Sequence, residues 1–159
     1  MKLKNPMLAV ADPEASAAFY HRVLGLHVIA DLGANKTLTG GLALQSLESW
    51  REFSGAERVA FGGCDAELYF EEEDFDGFLN KLEGLPVTLL HPAKEHPWGQ
   101  RAVRFYDPDR HIIEVGESLE AVWRRCLAGG MTPEQAAQRM GIPARMAAAW
   151  MRKQDRKGD

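Results

Sequence analysis

Glu114 stands in the middle of an apolar run, between Ile113 and Val115. A carboxylate there is costly unless it is paired, hydrogen-bonded, metal-bound or facing a wet cavity. Three roles are open to it: general base, metal anchor, or partner of a cation. Arg104 and Tyr106 fall on the preceding run, on the face opposite Val103 and Phe105. Strand alternation sets them beside Glu114 if Val103 and Phe105 pack under helices. An Arg104–Glu114 pair would keep the carboxylate ionised. Arg104 could instead clamp an anionic substrate, because a guanidinium meets a carboxylate through two parallel bonds. Both readings stay open, and Tyr106 would help orient an oxygen-rich ligand in either. Trp98, next to Gly99, is a lid, a packing residue or a substrate contact.

These residues need a hairpin to hold them. Asp107-Pro108-Asp109-Arg110 is turn chemistry, with Pro108 fixing φ and Asp107 able to cap through its side chain. The runs on either side predict strands at 102–106 and 111–115. The same unit is written twice. A strand at 7–11 leads to Asp12-Pro13, an N-cap followed by proline at the first helical position, and the helix runs to Gly25. Strands follow at 27–32, 35–39 and 42–45. The second copy has a strand at 66–70, a helix opened by the acidic run 71–74 and ending near Gly84, and strands at 86–90, 102–106 and 111–115. A short helix at 49–54 lies on the connection. Each half is β-α-β-β-β. The expected fold is α+β: two paired βαβββ modules, about 3–48 and 64–117, forming a curled mixed sheet around a cleft.

The chain has 159 residues, 45% of them hydrophobic and 26% charged, which suits one domain plus an extension. Residues 1–117 carry a net charge of −8 and residues 118–159 one of +4. The N-terminal apolar run is too short for a signal peptide, and no run is long enough to span a membrane. Two cysteines without a motif point to a reduced, cytoplasmic protein.

The order and spacing of 19–26 (Phe-Tyr-His-Arg-Val-Leu-Gly-Leu), 71–82, Pro97-Trp98-Gly99 and Asp107-Pro108-Asp109 running into Ile112-Ile113-Glu114 resemble the vicinal oxygen chelate superfamily. That superfamily includes glyoxalase I, bleomycin and fosfomycin resistance proteins and extradiol dioxygenases. The resemblance covers about residues 3–117. It implies metal ligands on the first and last strands of each unit, which fall on Glu114, on Glu67 (or Asp65, two residues away), on Asn5, and near Ala43 or Gln45. The usual His/His/Glu set thus reads Asn/Glu/Glu. Such a set suits a hard ion such as Mg or Mn better than Ni or Zn. Tyr69 shares a strand face with Glu67, and Gln45 and Asn5 suit ligand binding better than chemistry. The resemblance also implies a homodimer.

Residues 118–153 lie outside that core. A helix runs from Ser118 to Ala128, and Thr132-Pro133-Glu134-Gln135 forms a capping start. The pattern that follows resembles a helix-turn-helix. The second helix is rich in alanine, and its apolar face is expected to pack on the body or on a partner subunit. Residues 154–159 are expected to fray. The leading function is a glyoxalase/bleomycin-resistance-like small-molecule protein, with lyase or isomerase chemistry next to a carbonyl carried by Glu114 and Glu67. The alternatives are a metal-free ligand-binding module, and a ligand-responsive DNA-binding protein acting through 132–153. Nucleic acid is not the expected partner, because the acidic body repels phosphate.

Overall fold

The computed structural model describes residues 1–155. Two four-stranded sheets carry the fold. The first holds β1 (Met7–Val10), β2 (Val28–Asp31), β3 (Asn35–Leu38) and β4 (Ala43–Ser46) in the order β1-β4-β3-β2. β1 runs parallel to β4, with Leu8 opposite Leu44 and Ala9 opposite Gln45. β3 is antiparallel to both β4 and β2, and the β2–β3 register slips between Val28 and Ala30. The second sheet holds β5 (Glu67–Glu72), β6 (Leu89–Glu95), β7 (Arg101–Tyr106) and β8 (Ile112–Glu117) in the equivalent order β5-β8-β7-β6. The two modules therefore share one topology.

Local signals start and stop the helices. α1 (Pro13–Leu24) begins where the Asp12 carboxylate accepts the amides of Glu14 and Ala15, and ends at Gly25 in the left-handed conformation. It packs on β3 and β4. α2 (Leu47–Ser54) is capped by Ser46 and starts two residues before the expected Ser49. The acidic run is placed differently from the expectation. Glu71 and Glu72 finish β5, and only Asp74 acts at the helix, as N-cap of α3 (Phe75–Glu83). β6 begins at Leu89 rather than Pro86 and reaches Glu95.

The chain divides into two compact units. One comprises Met1–Leu68, Leu85–Leu90 and Phe105–Ile113; it buries Val10, Tyr20, Val23, Leu38, Leu44 and Phe105. The other comprises Tyr69–Gly84, His91–Arg104 and the chain from Glu114 onward; it buries Phe75, Phe78, Leu82 and Val103. This second unit contains α4 (Leu119–Ala128), α5 (Pro133–Met140) and α6 (Ala144–Asp155). Thr132 and Gln135 close a reciprocal capping box at α5, and Gly141, left-handed, ends it. The apolar side of α6 does not need the body or a partner subunit for cover. Ala147, Trp150 and Met151 join Val122, Trp123, Cys126, Ala136 and Met140 in one cluster that the three helices bury among themselves. α6 also continues past 153 to Asp155, and the rest of the expected frayed tail, 156–159, lies outside the described residues. Among the described residues no helix is long and apolar enough to cross a membrane.

Candidate functional site

Glu114 lies on β8, where all six residues are buried. Arg104 on β7 forms an ion pair with it; the arginine side chain is 22% exposed and the glutamate 8%. The guanidinium is held from a second side. Its Nη1 donates to His91 Nε2 at 3.2 Å, while His91 Nδ1 donates to the Pro92 carbonyl at 2.8 Å. That second bond puts the ring proton on Nδ1 and leaves Nε2 as the acceptor. The result is a chain from imidazole to guanidinium to carboxylate within one unit.

A second network in the same unit centres on Gln100, whose side chain is buried. Its amide donates to the Tyr69 hydroxyl at 2.7 Å and to the Glu117 carbonyl at 2.8 Å, and its carbonyl accepts Trp98 Nε1 at 3.1 Å. Trp98 also stacks on His96, with ring centroids 4.4 Å apart. Tyr69 donates to Glu71 at 3.0 Å rather than to Glu67. Burial pushes the Tyr69 hydroxyl above its ordinary value; the bond from Gln100 opposes this and Glu71 adds to it. Tyr69 is therefore a donor at neutral pH.

The remaining sequence candidates belong to the first unit, and the structure gives each its own surroundings. Gln45 is buried and tied at both ends: Oε1 accepts from Asn35 at 3.0 Å and Nε2 donates to Ser49 at 2.9 Å. Asn5 precedes β1, and its amide reaches the adjacent Pro6 carbonyl. Tyr106 lies under the Arg110 guanidinium, 4.3 Å from its ring centre. Glu67 is exposed at the start of β5, on the wall of a pocket of about 310 Å³. Gln100 and His91 do not stand out in the sequence as site residues. Neither carries a local signal, because each acquires its partners through cross-strand register.

A family model described as a glyoxalase-like domain matches residues 3–120. The chain belongs to the glyoxalase-like domain family. A solved protein of unknown function from Agrobacterium tumefaciens str. C58 is 38% identical, over 74% of this chain and 94% of that one, with a TM-score of 0.68. A glyoxalase-related enzyme from Fulvimarina pelagi (22% identity, 74% and 88% covered, TM-score 0.63) shares the fold. So does a glyoxalase/bleomycin resistance protein/dioxygenase family enzyme from Burkholderia phytofirmans PsJN (19%, 74% and 98%, 0.66). No curated protein matches the chain in sequence.

The glyoxalase-like family implies a divalent metal, and the donor set of this member does not fit one. Arg104 sets a positive charge against the Glu114 carboxylate, where a metal would need to be. Asn5 offers a neutral amide, and Gln45 has its carbonyl engaged by Asn35. Among the described residues no three His, Cys, Asp or Glu side chains are grouped to hold an ion. Mn, Mg, Ni or Zn bound here would have to displace the Arg104 guanidinium from a buried carboxylate, which leaves that cation without its partner.

Proposed function

We propose that this glyoxalase-like protein acts on a small, oxygen-rich molecule as a lyase or isomerase at the carbon next to a carbonyl, with Arg104 in the role that a metal plays elsewhere. The observation that carries the reading is the ion pair between Arg104 on β7 and Glu114 on the buried strand β8. A substrate carbonyl that draws Arg104 to itself is polarised by the guanidinium and releases the Glu114 carboxylate. The freed carboxylate takes the proton from the adjacent carbon. The C–H electron pair becomes the new C–C double bond, and the carbonyl electrons move onto the oxygen held by Arg104. In an α-hydroxycarbonyl, return of the proton to the former carbonyl carbon completes an isomerisation, as the neighbouring hydroxyl gives up its proton to become the new carbonyl and the oxygen held by Arg104 takes a proton. Where the carbon on the far side of the deprotonated one carries a leaving group, the carbonyl re-forms, the new double bond shifts to that carbon and the group departs with its electron pair, which completes an elimination. His91, bonded to the other side of Arg104, keeps the guanidinium aimed.

A second reading is a metal-free module that binds its ligand without turnover. It is favoured by the same pair at rest, since a carboxylate held against a guanidinium is a weakened base. Proton exchange separates the two. The protein is incubated in D₂O with α-hydroxycarbonyl and 1,2-dicarbonyl compounds, and loss of the proton next to the carbonyl is followed by NMR. The expected outcome is exchange that survives chelator and falls by about 10²-fold or more in Glu114→Gln, the scale of a lost general base. No exchange with any compound, or equal exchange by Glu114→Gln, rejects the enzymatic reading. Thermal stabilisation by one of the compounds would then support the binding module.

A further inference from the structure

Arg110 is the one non-glycine residue with a positive φ, +68°, among the described residues. It closes the 107–110 turn at a place where glycine would cost nothing, because an L side chain at positive φ crowds its own backbone. A side chain kept there against that preference is a reason to look for a task. The guanidinium lies over the Tyr106 ring, 4.3 Å from its centre, and the stem packs beside Gly62. Arg110 has no acidic partner among the described residues.

His111, the next residue, is oriented with equal definition. Its Nδ1 donates to Asp107 Oδ2 at 2.8 Å. Asp107 is buried; its Oδ1 accepts the amides of Asp109 and His111, and its Oδ2 also takes the Tyr20 hydroxyl at 2.9 Å. The carboxylate cannot swing away without breaking all four bonds. The bond to Nδ1 fixes the ring proton on that nitrogen and leaves the Nε2 lone pair with no partner among the described residues. This is the arrangement in which a carboxylate holds an imidazole ready to accept a proton or a hydrogen bond.

Arg110 and His111 both line the pocket of about 310 Å³ in the first unit. That volume is at the small end of the range for small-molecule sites. Leu8, Leu68 and Ile112 give it apolar walls, and Asp65 and Glu67 add negative charge. We propose that this pocket binds a 2-hydroxy carboxylate with a short apolar body. The carboxylate pairs with Arg110, the hydroxyl donates to His111 Nε2, and the apolar body lies against the leucine and isoleucine walls. The two acidic residues disfavour a second negative charge, so the site selects a monoanion over a dicarboxylate or a phosphate.

The test is calorimetric titration of the full-length protein with 2-hydroxyisovalerate, with isovalerate and malate as controls, read together with the His111 ring signals by NMR. The hydroxy acid should bind and shift those signals, and isovalerate and malate should bind at least about tenfold more weakly, the scale of a lost hydrogen bond or an added repulsion. Arg110→Gly removes the cation and accepts the turn geometry freely, so it should fold at least as well as the wild type and lose the affinity. His111→Asn should lose the preference for hydroxy acid over isovalerate. Glu114→Gln should bind like the wild type, which separates this site from the chemistry proposed at Arg104 and Glu114. No binding of 2-hydroxyisovalerate, binding indifferent to Arg110→Gly, or malate bound as tightly would each overturn the proposal.

Discussion

Asp107 and Asp109, two residues apart in one turn, meet opposite fates. Asp107 spends both oxygens on four donors. Asp109 accepts the Ala11 amide at 3.1 Å. Burial pushes its carboxyl above the ordinary value; the Ala11 bond works against this, and the negative charge of Asp107 adds to it. A carboxyl raised in the fold binds its proton more readily there than in the unfolded chain. Its contribution therefore favours folding at low pH and turns against folding as pH rises through the raised value. Asp109→Asn keeps an acceptor for Ala11 and removes the buried charge. At pH 7 its Tm should match or exceed the wild type by a few degrees, roughly the shift that about 1 kcal/mol gives a chain of this size. That advantage should shrink as pH falls below the ordinary carboxylate range. Calorimetry across pH 3–7 checks it, and a lower Tm at pH 7 would show that the charge does useful work.

At the scale of elements, β7, β8 and α4 meet at Glu117. Arg101 from β7 reaches the carboxylate at 3.2 Å and Arg125 from α4 at 2.8 Å. Arg125 also donates to the Gly99 carbonyl at 2.5 Å, and Arg139 from α5 pairs with Glu95. The C-terminal helices thus clasp the β6–β7 turn that carries Trp98. Burial alone would raise the Glu117 carboxyl, but Arg125 and Arg101 outweigh it and hold it below the usual range. A carboxyl lowered in the fold stabilises at neutral pH, and that stabilisation is lost as pH falls through the folded value. Glu117→Gln should cost about 2 kcal/mol at pH 7, less than a fully buried pair because Arg101 and Arg125 are 27% and 36% exposed and keep Asp76 and Glu95. The loss should vanish toward pH 3 in urea melts, and an equal loss at both pH values would contradict it. Elements of this kind divide by how local their signals are. The caps at Asp12 and Thr132 and the turn at Asp107 are legible in the sequence because each bond spans only two to four residues. The start of β6, the clasp on Glu117 and the partners of His91 and Gln100 are not, because each depends on which residues face one another across strands.

At the scale of the whole molecule, the question is which surface is left to cover. The C-terminal helices are not the answer, since their apolar faces close on Trp123 and one another. The first unit is different. β2 is an edge strand of its sheet, all four of its residues are exposed, and Val28, Ile29 and the following Leu32 present apolar side chains to solvent. Leu89 and Leu90, at the start of the edge strand β6, do the same. An exposed edge with apolar side chains invites another strand, and a second copy of the same chain supplies one at matched geometry. We propose that the protein is a homodimer joined through these strands. Sedimentation at micromolar concentration should give twice the mass of one chain. Ile29→Glu or Leu89→Glu should shift it to the monomer, because either buries an unpaired charge at the contact. Phe53→Glu, which alters an even more exposed apolar residue on α2, should leave the dimer intact. A wild-type monomer, or a dimer indifferent to both strand substitutions, would reject the edge-strand interface.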